Sequence, residues 1–249
     1  MLLRRILANF HAQNWLAVVL DFIVVVVGIF LAFQLERWYA DQRIRANTQE
    51  ILSTLVADFA ANRNELERSI ELREPVVQAA VQLLEFDEKQ PDVDQYHRFY
   101  ELLAETSLTS TPRLRRGAYD ILIATGQIEL LGDESLKSEL ADFYAQWEEL
   151  LVFNQGVWMV DRNTFEPYVI RNLDHVEMLR NLHSDTTAKN SPNQPPEHFL
   201  EVLGSSEFEG VIAAKWHAAR DEINRLRRLQ DRLIAVEERL AQVTGSESN

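Results

Sequence analysis

The residues best able to hold a metal are six histidines, His11, His97, His175, His183, His198 and His217, set among 39 aspartates and glutamates. An imidazole and a carboxylate four residues apart on a helix share one face, which singles out His217 with Asp221. His175 with Glu177 or His183 forms a second such group. Two ligands do not close a tetrahedral site, and neither an HExxH motif nor a Glu-x-x-His pair supplies the rest. These histidines are expected at the surface, with no metal and no other cofactor.

Nucleophilic and nucleotide chemistry fare no better. The chain has no cysteine, which excludes a thiolate nucleophile, a disulfide and a zinc-thiolate site. It has only 8 glycines, and no GxSxG, phosphate-binding loop or dinucleotide fingerprint. No catalytic residue is nominated, and the protein is not expected to be an enzyme. One basic cluster, Arg113, Arg115 and Arg116, stands out in acidic surroundings. Guanidinium forks suit carboxylates and other anions, so the cluster either contacts an anionic ligand or partner or, as its expected use, pairs with this chain's own acids.

The charge is unevenly divided. Residues 1–45 carry five arginines against three acids, a net of +2, which leaves −16 on the remainder of a chain whose total is −14. A region that acidic is repelled by phosphate backbones, so nucleic acid is excluded as a partner.

The elements that would position all these groups begin with residues 14–38, NWLAVVLDFIVVVVGIFLAFQLERW. Trp15 to Leu35 is 21 residues with one charge, and as a helix it is roughly 30 Å long, the thickness of a hydrocarbon core. Trp15 at one end and Trp38 with Tyr39 at the other suit the headgroup levels. The stretch is too long for a signal-peptide core and lacks a small-x-small cleavage site near Phe33-Gln34-Leu35-Glu36, so an uncleaved signal-anchor is expected. The domains predicted are a basic head (1–14), a transmembrane anchor (15–38) and an acidic helical domain (39–249). Arginines flank the span on both sides in nearly equal number; the short basic head points to an N-in orientation, with the domain exported.

Ala17, Asp21, Gly28 and Ala32 are spaced 4, 7 and 4 residues apart, one narrow stripe on a helix, and Gly28-x-x-x-Ala32 is a small-xxx-small pair. A carboxylate facing lipid costs about 2.5–3.5 kcal/mol on insertion scales. Facing a partner helix it can be hydrogen-bonded, so the stripe predicts helix pairing, mostly homotypic. The alternative is that Asp21 reaches the interface through local water.

These residues carry a resemblance. Asp21, Val24 to Val27, Gly28, Ile29, Ala32, Gln34 and Trp38 resemble the anchor of an uncharacterised family of bacterial single-span membrane proteins, a domain of unknown function. Tyr119 to Tyr144, with Thr125-Gly126 in place of the family's Ser-Gly, is similar to a second segment of that family. The family acid is commonly Glu, and Glu36-Arg37 replaces its Asn pair. The resemblance implies a bacterial inner-membrane location and a helical domain after one span; it implies no activity.

Beyond the span, Ile51, Leu55, Phe59, Leu66 and Ile70 keep helical spacing to about Glu74, where Pro75 interrupts or kinks a helix that resumes over Val76 to Phe86. The membrane helix is expected to continue into this one as a stalk. A short helix covers Tyr96 to Leu103. Ser110-Thr111-Pro112 reads as a cap opening a helix that Gly126 closes. Gly132-Asp133 opens the next, with Leu136, Leu140, Phe143, Trp147, Leu150, Leu151 and Trp158 on its apolar face, running past Phe165 towards Pro167. Residues 184–196 form a loop. The last helix, about Glu207 to Val243, places apolar residues from Ile212 to Val243 at gaps of three and four, averaging about 3.4. It packs within the domain's own bundle or forms a coiled coil with a partner.

The fold class expected is therefore all-α, a single transmembrane helix continuing into a helical bundle with long helices. The expected function is that of a membrane-anchored, self-associating interaction or scaffold protein, its partners the lipid bilayer, further copies of itself and an unidentified protein. The alternative is an extracytoplasmic ligand-sensing bundle that signals through a partner.

Overall fold

The computed structural model describes residues 15–86, 92–183 and 196–246. The basic head, most of the polar stretch before Asp92 and most of the 184–196 loop lie outside the described residues, as do the side chains of Ala17 and His198. The chain divides into two compact units, Met1–Ser53 and Thr54–Asn249. Among the described residues there is no strand.

Helix α1 (Trp15–Leu84) begins in the first unit. From Val19 onward it is long and apolar enough to cross a membrane, with a window of mean hydropathy 2.3 of which 0% is buried. The aromatic pair at its polar margin, Trp38 and Tyr39, meets edge to face with centroids 5.1 Å apart. The helix passes through Pro75 without a break. Proline removes the donor that would bond the Glu71 carbonyl, but Glu71 and Pro75 both lie on the exposed face, where water can take its place.

The second unit is a bundle of the outer part of α1 with two other long helices, α4 (Glu134–Val160) and α8 (Ser206–Ser246). Leu55, Phe59 and Leu66 of α1 are fully buried, as are Leu136, Leu140 and Phe143 of α4, and Leu226, Leu233 and Val236 of α8. Each such side chain contributes roughly 1.5–3 kcal/mol relative to exposure. Phe59 packs on Phe143 at 5.0 Å and edge-on to Tyr144 at 6.1 Å. The seam of α8 that spacing predicted is thus buried within its own unit.

Short helices α2 (Val93–Ser107), α5 (Glu166–Asn172), α6 (His175–Leu182) and α7 (Glu197–Leu203) cover one end, while α3 (Gly117–Ala124) lies against Asp58 and Tyr144. Asp92 and Gln95 form a reciprocal capping box at the start of α2. An aromatic cluster fastens this end: Phe99 lies 4.8 Å from Phe199 and 5.6 Å from Phe208, and the Tyr100 hydroxyl accepts from Asp174 N–H at 2.8 Å.

Gly126 (φ 69°) closes α3 and Gly132 (φ 68°) precedes the Asp133 cap of α4, whose carboxylate accepts from Leu136 N–H at 3.0 Å. The Ser110-Thr111-Pro112 cap is not formed. Residues 109–116 are non-helical, and α3 opens only at Gly117. Side chains on α1 hold this strap open by taking its backbone groups. Asn62 bonds both the N–H and the carbonyl of Arg115, at 2.6 and 2.8 Å, and Glu65 accepts from Arg113 N–H at 3.0 Å. Asp58 accepts from Ala118 N–H at 3.5 Å and serves α3 as a cap from another helix. After Val160 the backbone widens into a π-turn, Asp161–Phe165, in which Glu166 N–H reaches back five residues to the Asp161 carbonyl. Helix α5 then continues through Pro167.

Candidate functional site

Where core side chains should be apolar, three helices of the second unit deliver charged or polar groups. On α1, Arg73 continues the phase of Leu66 and Ile70; on α8, Lys215 and Glu222 occupy the phase of Ile212, Ala219 and Leu226. The Arg73 guanidinium pairs with Glu222 Oε2 at 2.6 Å, and each side chain is 2% exposed. A second guanidinium nitrogen donates to the Leu108 carbonyl, where α2 runs into the strap. The remaining nitrogen, Nε, has no partner. Asn154 of α4 is 8% exposed, and neither atom of its carboxamide makes a hydrogen bond of normal geometry.

A second pair, half-buried on the Asp161 side, sits at the π-turn, Lys215 Nζ to Asp161 Oδ1 at 2.7 Å, with Nζ 5.0 Å from the centre of the Phe165 ring. Turns of this kind are rare and concentrate at functional sites. Here the turn brings Asp161 to Lys215. Burial pushes the Lys215 ammonium below its ordinary value, opposed by Asp161. Burial likewise pushes the Glu222 carboxyl up, opposed chiefly by Arg73 and, more weakly, by Lys215 and the nearby Asn154 carboxamide.

Arg73 and its neighbours line a cavity of about 670 Å³. Arg73, Asn154 and Glu222 form its polar wall, and Thr109, Ser110 and Thr111 of the strap contribute three hydroxyls. Leu151, Val157, Trp158 and Met159 supply the apolar wall. Trp158 and Met159 are 53% and 59% exposed. A smaller cavity of about 370 Å³ adjoins it, sharing Thr109 and Trp158 and reaching Asp161 and His175. The arrangement is suited to holding a small molecule: a dry polar wall with unused donors and an acceptor, facing an apolar one.

The residues singled out from sequence are placed elsewhere. Asp21, Gly28 and Ala32 are exposed along α1, and a Cβ at Gly28 would meet nothing within 4 Å. Arg116 pairs with Asp120 and Glu148 at 3.0 Å, within its own domain. Arg113 and Arg115 are exposed, with their backbones fixed to α1. His217 is exposed, Asp221 pairs with Arg225 at 3.2 Å, and Glu177 pairs with Arg180 at 2.9 Å and His97 at 3.5 Å. Among the described residues, no three histidines or acids come together as a metal site would require. Trp158, read as part of the apolar face of α4, stands instead at the rim of the cavity under the Arg162 guanidinium, 4.8 Å from its ring. No motif marks Arg73, Asn154, Lys215 and Glu222; their signal is polarity at a core phase of a helix.

The chain matches no protein-family model, no curated protein and no solved structure.

Proposed function

We propose that this is a single-span, membrane-anchored helical interaction protein that associates with copies of itself and presents an acidic helical domain outside the cytoplasm of a bacterial cell. The observation that carries the reading is the exposure of the apolar stretch. Phe22, Val24, Phe30, Leu31 and Phe33 are each 60–68% exposed, whereas the core helix of a soluble protein buries such residues. Left in water, each forgoes roughly 1.5–3 kcal/mol, and a bilayer removes that cost. Glycine inside a helix costs about 0.5–1 kcal/mol relative to alanine, and among the described residues no contact requires Gly28 to be glycine. Close approach by a second helix, with Asp21 on the same stripe, supplies a reason.

The test is fractionation followed by crosslinking. The full chain should leave the membrane fraction only with detergent, and crosslinking in the membrane should trap oligomers that Gly28→Leu and Asp21→Leu each deplete. Recovery in the soluble fraction would remove the anchor, and unchanged crosslinking in both variants would remove self-association. A reporter fused after Asn249 checks the orientation.

The cavity favours a second reading, in which the domain senses a small molecule and passes the signal through the span to a partner. A scaffold has no need of a cavity lined by unpaired buried polar groups.

A further inference from the structure

Three polar atoms around one cavity, Arg73 Nε, Asn154 Nδ2 and Asn154 Oδ1, are shielded from water and make no hydrogen bond of normal geometry, the carboxamide lying near the Glu222 carboxylate. Orphaned buried groups cost roughly 1–3 kcal/mol each. A cluster of buried polar groups beside an apolar wall is the make-up of a small-molecule site.

The lining restricts the ligand. Its volume, about 670 Å³, falls within the roughly 300–1,000 Å³ of small-molecule sites. Charge on the polar wall is already balanced, Glu222 offsetting Arg73. An ion entering would find no free counter-charge and would lose its hydration. The Asn154 carboxamide needs one donor and one acceptor, side by side, and Arg73 Nε needs an acceptor. An amide edge offers that pattern. The terminal torsion of asparagine is soft, so this carboxamide can turn onto such an edge without giving up a hydrogen bond of normal geometry. Trp158, Leu151 and Val157 then cover an apolar body.

We infer that the cavity between α1, α4 and α8 binds a small uncharged molecule that carries an amide or lactam edge on an apolar, preferably flat, body. This deepens the sensing reading and rests on it only for the use of the site, since binding can occur whether or not a signal reaches the span.

Three probes with one ring and different edges decide the matter: benzamide, benzoate and benzylamine. Titrated calorimetrically into the detergent-solubilised full chain, benzamide should bind saturably, roughly tenfold or more tighter than either charged probe, a difference of about 1.4 kcal/mol or more. Asn154→Leu should weaken benzamide by a similar factor while holding or raising the Tm, since it removes two orphaned atoms from the interior. Trp158→Ala, at an exposed position, should weaken it with the Tm unchanged. Absence of benzamide binding at millimolar concentration overturns the inference, as does equal affinity for a charged probe. So does undiminished binding in both variants. Binding of benzamide that leaves span crosslinking unaltered supports the site and counts against the sensing reading alone.

Discussion

Arg73 of α1 and Glu222 of α8 meet at 2.6 Å with both side chains 2% exposed, an ion pair buried among the leucines of the core. Removing two charges from water costs several kcal/mol per ion, and their attraction offsets this only when the remaining hydrogen-bonding capacity is also used. Here it is not, because Arg73 Nε and Asn154 are left over. The pair is therefore better explained by what it does to the cavity than by any gain in stability.

That view predicts an asymmetry between single and double substitutions. Glu222→Leu alone strands a buried guanidinium and should cost about 3–5 kcal/mol. Adding Arg73→Met should recover the loss and bring the domain level with the parent or above it. Urea unfolding of the four proteins measures this, and a double variant no better than the worse single one would mean that the pair holds the helices together.

The pH dependence has a definite sign. Burial raises the Glu222 carboxyl above its ordinary 4.5, so between that value and its raised one the folded chain holds a proton that the unfolded chain has released. Stability from this group therefore increases as pH falls through that window, and is lost again as pH rises through the folded value. Subtracting the unfolding free energy of Glu222→Gln cancels the other carboxyls. The difference, parent minus variant, should grow from neutral pH towards 4.5; a flat difference, or one that shrinks, contradicts the burial effect.

The strap over 109–116 depends on side chains of α1. Asn62, 1% exposed, bonds both backbone groups of Arg115. Its replacement leaves the Arg115 carbonyl with the Tyr144 hydroxyl at 3.2 Å and takes the acceptor from the N–H. Asn62→Ala should cost about 1–3 kcal/mol and speed hydrogen exchange at the Arg115 amide. Exchange no faster than in the parent would show that another group had taken the bond.

Two glycines at helix ends should respond in opposite directions. Gly126 has φ 69°, which an L-residue adopts at a cost of roughly 1–2 kcal/mol. Gly204 ends α7 at φ −91°, and a methyl group added there would meet nothing within 4 Å. Gly126→Ala should lower the Tm, and Gly204→Ala should leave it unchanged or raise it slightly. Equal effects would show that backbone conformation is not what sets them apart.

The helices themselves were legible because apolar spacing is a local property. Ile51 to Ile70 on α1 and Ile212 to Leu240 on α8 announce their buried faces without reference to anything distant. Gly126 and Gly132-Asp133 were legible for the same reason, each acting within its own turn. The strap was not: Ser110-Thr111-Pro112 is a sound local cap, and it lost to Asn62, Glu65 and Asp58, whose hydrogen bonds span some fifty positions of sequence. The candidate site was hidden in a different way. Arg73, Lys215 and Glu222 are ordinary charged residues in helices rich in charge, and only their pairing across elements makes them unusual. His217 and Arg116 carry more recognisable chemistry, yet one is exposed and the other is paired with nearby acids.

The π-turn at Asp161–Phe165 makes the molecule sensitive to length in a way that substitutions do not probe. It accommodates one residue more than an α-helical turn, so deleting a single residue there would restore an ordinary spiral, with the helices on either side near their present phase and the side chains of the turn itself redistributed. Asp161 could not then face Lys215 while Phe165 kept its place beneath the ammonium. Shortening the chain by one amino acid would regularise the helix and dismantle the floor of the adjoining chamber.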